Sequence, residues 1–330
     1  MNQYVGHESQ CYGVEEHRLV GGKGDGMRLL QVRNGKGLEF TVSADRAADI
    51  ARLTFCGMNM GYFASCGYVA PAYYDDRGDL FLKSFTAGFL TTCGLTNAGS
   101  PCVDAGEELP LHGNIGNTPA EHIYWESDEK EIRIHAKVVD ARLFSHKLTL
   151  NRTIRCALTE NEFVIEDRIK NEGDNDYPVE VLYHMNMGYP LLSEKSIVHI
   201  GSDQVVPRNE RAAEGIDEWD KMRKPEAGFE EQCYYHSFSG EGKAGVFQPE
   251  EGLGLIISFD SENLNYFTEW KMMGVRDYVL GLEPGNCHPD GRKKMREDGT
   301  LKILAPEEEV TYRVKVSMVK GMDAWRKLTE

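Results

Sequence analysis

Apolar and polar residues alternate with period two along this chain far more often than apolar residues recur at helical spacing. In IRIHAKVV, Ile132, Ile134, Ala136 and Val138 fall on one side and Arg133, His135 and Lys137 on the other, the signature of a half-buried strand. Similar alternation runs through KLTLNRTI from Lys147, NEFVIEDRI from Asn161, VEVLYHMNM from Val179, LGLIISF from Leu253 and VTYRVKVSMV from Val310. Between these lie turn clusters such as NEGDNDYP (171–178) and SFSGEGKAG (237–245), whose Gly, Asn and Asp tolerate positive φ and whose Pro interrupts strand pairing. Helical signals are confined to an opening at Thr118-Pro119 and part of Arg208 to Lys224, too little to cover a parallel sheet. The pattern predicts an all-β, mostly antiparallel sandwich or barrel with few short helices. Asn209 to Gln232 interrupts the strand series as a long polar insertion, read equally as a lid or a solvated excursion.

At 330 residues, with all-β folds able to run well beyond ~150 residues as one unit, residues 1–330 are read as one large domain. Residues 1–40 then form an N-terminal extension and strands. With 37 Lys+Arg against 53 Asp+Glu the formal charge is −16, which repels phosphate backbones and anionic lipid and so argues against nucleic acid and membrane partners. No apolar run approaches ~18 residues and the N-terminal stretch lacks an apolar signal core, so a cytoplasmic location is expected. Eight scattered cysteines without a CxxC pair read as reduced thiols, and Cys93 in TTCGLTN as a packing residue rather than a nucleophile. The glycine-rich run Gly21 to Val32 is followed by a strand-like RLLQV rather than a helix, so it reads as a turn and not a phosphate loop.

Three polar clusters carry the candidate chemistry. In Val179 to Pro190, alternation puts Glu180, Leu182, His184 and Asn186 on one face, so His184 and Asn186 point the same way from one strand. Leu90 to Pro101 and Leu109 to His122 bring small residues, amides and His112 together among glycines, which permit close backbone approach to a polyhydroxylated ligand. In Phe267 to Arg292 a strand ends near Met273 and returns through YVLGLE, leaving Glu283 after an apolar run, where desolvation can raise a carboxyl pKa toward that of a useful base. Trp270 offers a face on which a sugar can stack. Each cluster has an equally ordinary reading as solvated polar face, turn stabilisation or core.

In this order the motifs TCGLTNAG, LHGNIGNTPAE and EWKMMGVRDYVLGLEPGN resemble the galactose mutarotase (aldose 1-epimerase) superfamily, over roughly Asp45 to the C-terminus. The resemblance implies a one-domain β-supersandwich and an isomerase that interconverts sugar anomers without a cofactor or metal. It implies Glu283 as base, His184 as acid, and Asn97, His112 and Asn186 as hydroxyl ligands. Arg46, Asp49, Lys271 and Arg276 stand out in this branch as further substrate-binding residues, of which Arg46 and Lys271 would hold a further oxygen or a negative charge. The mutarotase arginine after the early Asn is missing, because Asn97 is followed by Ala98. That departure keeps open an isomerase or lyase acting on an oxidised or acidic sugar, with His112, His184, His288 and Glu283 even forming a metal site, or a non-catalytic sugar-binding protein. The expected partner is a small-molecule sugar or sugar acid, and a homodimer is left open.

Overall fold

The segments of period-two alternation all become strands in the computed structural model, which describes residues 3–329. An eight-stranded sheet runs His122–Ser127, Glu131–Ala141, Lys147–Ala157, Glu162–Asn171, Glu309–Lys320, Leu253–Phe259, Gly242–Gln248 and Ile197–Ile200. A six-stranded sheet runs Gln204–Pro207, Gln232–Ser237, Tyr266–Met273, Tyr278–Gly285, Glu180–Met187 and Leu90–Leu95. A third, five-stranded sheet is built from Gly13–Arg18, Arg28–Arg33, Leu38–Ser43, Asp49–Phe55 and Met58–Asn59. The ladders are antiparallel throughout. Strand Glu131–Ala141 shows why: Ile132, Ile134, Ala136 and Val138 are buried and the residues between them are not. Their counterparts from all three sheets, including Phe40, Leu53, Phe163, Val181, Phe267 and Val316, merge into one apolar cluster. Among the described residues no helix is long and apolar enough to cross a membrane.

Strand Glu180–Met187 is buried on both faces, so its alternation separates two interiors rather than inside from outside. Tyr183 faces the core between the sheets, where its hydroxyl donates to Asp167 at 2.8 Å. The fully buried Arg152 donates to Asp167 through Nε at 2.8 Å and Nη2 at 2.7 Å, and to Asp49 through Nη1 at 2.7 Å. Asp49 also accepts from the Thr92 amide at 2.8 Å and hydroxyl at 2.6 Å. One guanidinium thereby joins the eight-stranded sheet to Asp49 of the five-stranded sheet and to Thr92 and Tyr183 of the six-stranded sheet. Burial works against its charge, yet the two carboxylates hold its pKa above the ordinary value.

One helical expectation is corrected and the other holds for part of its segment. Thr118-Pro119 does not open a helix but ends a 3₁₀ turn, Ile115–Asn117, because a residue before proline is driven out of the helical region; Thr118 is extended at φ −103°, ψ 122°. Within Arg208 to Lys224 only Glu210–Ala213 is α-helical, capped by Asn209, and Ile216–Glu218 forms a 3₁₀ turn. The glycine-rich run is a 3₁₀ turn followed by strand Arg28–Arg33, as read from the sequence.

Arg152→Met removes the countercharge from two buried carboxylates. The expected cost is about 3–5 kcal/mol, the range for breaking one side of a buried ion pair. Chemical denaturation of wild type and variant measures it.

Candidate active site

Strand register assembles the site. On one face of the six-stranded sheet, Tyr235 lies opposite Thr268 and Thr268 opposite Glu283. His184 falls opposite Glu283 in the register set by Leu182↔Gly285 and Met185↔Leu282. Cys233, Thr268, Trp270, Glu283 and His184 therefore project the same way, into a cavity of about 330 Å³. Its far walls come from three loops, carrying Phe81, Leu82 and Phe85, then Gly99 and Ser100, then Leu111 and His112, with Arg208, Glu231 and Pro289 at the rim.

At the floor, His184 Nδ1 and Glu283 Oε1 stand 3.3 Å apart, and neither atom has a hydrogen-bond partner. Glu283 is 2 % exposed. Burial pushes its carboxyl well above the ordinary range, repulsion from Glu231 adds to this, and Arg208 opposes it. Burial, with the neighbouring His112, pushes His184 down to about 3. Both shifts favour uncharged forms, so the pair holds one proton between two neutral groups. Phe85, His112 and Trp270 surround the imidazole edge to face, with ring centroids at 5.2, 5.6 and 5.2 Å. Gly281 makes room for the carboxylate: a Cβ there would lie 2.3 Å from Glu283 Oε1.

His112 is held by its backbone, donating to the Gly99 carbonyl at 2.8 Å, and its Nδ1 accepts from the Gly99 amide at 3.2 Å. Nε2 remains as its second polar atom, and burial lowers the ring to about 4. Trp270 donates Nε1 to Glu231 at 2.6 Å, which fixes its ring against the pocket.

The other residues singled out from the sequence lie outside the pocket lining. Arg46 is buried and donates to the carbonyls of Gly116, Val69 and Ser84, so it ties loops together. Asp49 belongs to the Arg152 cluster. Asn97 donates to Pro110 and Ser100 carbonyls and accepts from the Arg292 amide, bracing the loop that carries His112. Asn186 shares the parity of His184 but is wholly buried, donating to the His184 carbonyl at 2.9 Å. Lys271 points through the opposite face and donates to the Glu218 and Trp219 carbonyls, clamping the 209–232 insertion. Arg276 sits exposed in the hairpin turn at φ +73°. Cys93 is fully buried and its thiol is pushed up by desolvation, as a packing residue should be.

The sequence reading missed Arg208, Glu231, Thr268 and the Phe81/Phe85 wall. Arg208 follows directly on strand Gln204–Pro207 and reaches the pocket beside Ser100, pairing with Asp290 at 3.0 Å. Thr268 was findable, since it shares its parity with Trp270. Among the described residues no group of three or more His, Cys, Asp or Glu is arranged to hold a metal ion.

The architecture is that of the galactose mutarotase-like proteins. A Klebsiella pneumoniae protein described as a candidate aldose 1-epimerase matches with TM-score 0.90 at 24% identity, over 98% of this chain and 88% of its own. A galactose mutarotase-like protein from Clostridium acetobutylicum matches at 0.67 and 13% identity, over 94% and 99%. The galactose 1-epimerase of Lactobacillus acidophilus matches at 0.64 and 13% identity, over 94% and 99%. By sequence the chain belongs to the family described as a domain of unknown function, DUF4432, whose model matches residues 24–318. No curated protein matches it.

Behind the pocket, Glu180 accepts from the Ala98 amide at 2.8 Å, and burial raises its pKa to about 7 against an ordinary 4.5. The folded state thus binds the proton more tightly than the unfolded chain. Its contribution to stability is complete below about pH 4.5 and is lost as pH rises to about 7, a change of about 3 kcal/mol. In Glu180→Gln this part of the slope is absent, which denaturation at a series of pH values measures.

Proposed function

We propose that this protein is an isomerase of the aldose 1-epimerase type, acting on a small-molecule sugar. The observation that carries the reading is the Glu283–His184 pair, 3.3 Å apart at the floor of a cavity with aromatic walls. Mutarotation needs two proton transfers. With the shared proton on His184, Glu283 removes the proton of the anomeric hydroxyl while His184 protonates the ring oxygen. The C1–O5 bond breaks, an open-chain carbonyl forms, and the proton count on the pair is unchanged. Burial favours Glu283 protonated and His184 neutral in the empty site, so the proton passes from Glu283 to His184 within the pair before ring opening, and ring opening returns both groups to their neutral forms. Rotation of the carbonyl and reversal of the transfers closes the ring on its other face. Trp270 and Phe85 offer apolar faces to the sugar, and His112 Nε2 a polar atom for one of its hydroxyls.

Arg208 is the cation among the lining residues, and it is already paired with Asp290, whereas Glu231 and Glu283 are both acidic. The lining therefore suits a neutral polyol better than a sugar acid.

Polarimetry or NMR exchange on freshly dissolved aldoses tests the reading. Glu283→Gln and His184→Asn are each expected to lower the rate about 10²–10⁴-fold. No acceleration by wild type on any aldose overturns it. Gly281→Ala, which displaces the carboxylate without removing it, is expected to cost about 10²-fold in rate with the fold intact by circular dichroism. Because catalysis needs one proton on the pair, the rate is expected to fall as pH rises through the raised Glu283 pKa, which a pH–rate profile measures.

A further inference from the structure

The eight-stranded sheet leaves strand His122–Ser127 as an open edge. Exposed edges invite pairing with another chain and are normally blunted by shortness, proline, lysine or covering segments. The other edges of the main sheets are blunted in these ways. Ile197–Ile200 has four residues, Gln204–Pro207 has four and ends in proline, and Leu90–Leu95 is buried along its length. Gly13–Arg18 carries four consecutive titratable side chains, Glu15 to Arg18. His122–Ser127, HIYWES, has six residues, no proline and no lysine, and it exposes Tyr124 (58 %) and Trp125 (38 %).

The ladder phase shows what this edge presents. Asp128 donates its amide to the Glu131 carbonyl at 3.0 Å, in register with the pairing of Ser127 with Ile132. In an antiparallel ladder the bonded positions alternate, so even-numbered residues bond inward. The N–H and C=O groups of Ile123, Trp125 and Ser127 point away from the sheet.

We propose that this edge pairs antiparallel with the same edge of a second copy of the chain, about a two-fold axis at Tyr124. Only that symmetry lets one surface serve both partners. In this register outward-bonding residues meet each other: Ile123 opposite the partner's Trp125, and Trp125 opposite the partner's Ile123. Both lie on the face that carries Ile134 and Ala136, so two aromatic–β-branched pairs extend the apolar face across the axis. On the outer face His122 meets the partner's Glu126 and Glu126 the partner's His122, and Tyr124 meets its own copy. No two like charges are opposed, although the chain as a whole carries −16.

Sedimentation of the full chain over a concentration series, with hydrogen exchange on the same samples, tests this. The expected result is a dimer in which the amides of Ile123 and Trp125 become protected as concentration rises. Trp125→Lys is expected to shift the chain to monomer with its melting temperature unchanged at low concentration. His122→Glu sets a carboxylate against the partner's Glu126 and is expected to weaken dimerisation about tenfold. Adding Glu126→Lys restores opposite charges and is expected to restore the dimer. A wild type that stays monomeric overturns the proposal, as does a dimer in which those amides remain unprotected or in which Trp125→Lys changes nothing.

Discussion

Arg152 is the one charge on which the arrangement of the three sheets depends. Its five N–H donors are planar and fixed, so they can bind Asp167 in two-point contact and still reach Asp49, the Ala47 carbonyl and the Thr92 hydroxyl. A lysine could not span these partners. Apolar packing alone tolerates sliding of one sheet over another, whereas this cluster accepts one relative position, because any shift strands a buried carboxylate. The residues it anchors, Thr92 and Tyr183, are the immediate chain neighbours of Thr91 and His184. The fixed geometry of the pocket floor follows from the geometry of the ion cluster beneath it.

Two faces of one strand thus carry opposite electrostatic solutions. Below the sheet, the buried Arg152 guanidinium is hydrogen-bonded to the Asp167 and Asp49 carboxylates, which hold its pKa above the ordinary value. Above it, Glu283 and His184 are buried with little compensation, and their ionised forms are disfavoured. The contrast is a matter of donors. Asp167 and Asp49 receive hydrogen bonds from a guanidinium and from hydroxyls, while Glu283 Oε1 faces only an imidazole. An exposed pair of the same residues would hold separate charges in water, and an apolar pair could not move a proton at all.

Strands were legible because burial on one face imposes a two-residue period, and the Glu283–His184 pair was legible through motif resemblance. Their direct opposition across the sheet was not, since register depends on pairing partners that are distant in sequence. Arg46, Asp49 and Lys271 look like ligands in a linear reading because their types are those of ligands. Whether a charged side chain faces a cavity or a buried counterion is decided by residues such as Arg152, more than a hundred positions from Asp49. Asn97 and Asn186 were placed beside the right residues, yet they serve the backbone that carries the site. Arg208 and Glu231 escaped notice because they flank an insertion without periodicity, where no pattern marks which side chains turn inward.

That insertion has a particular construction. Arg208, immediately before it, and Glu231, near its end, reach the pocket rim on one face of the six-stranded sheet, while Lys271 clamps its middle through the opposite face. Trp219 and Met222 root it in the core. The rim can therefore vary in length and composition between those anchors without disturbing the row of strands that sets the proton-transfer pair. The Glu283–His184 pair and the rim are carried by separable parts of the chain, so the rim can change while the pair keeps its geometry.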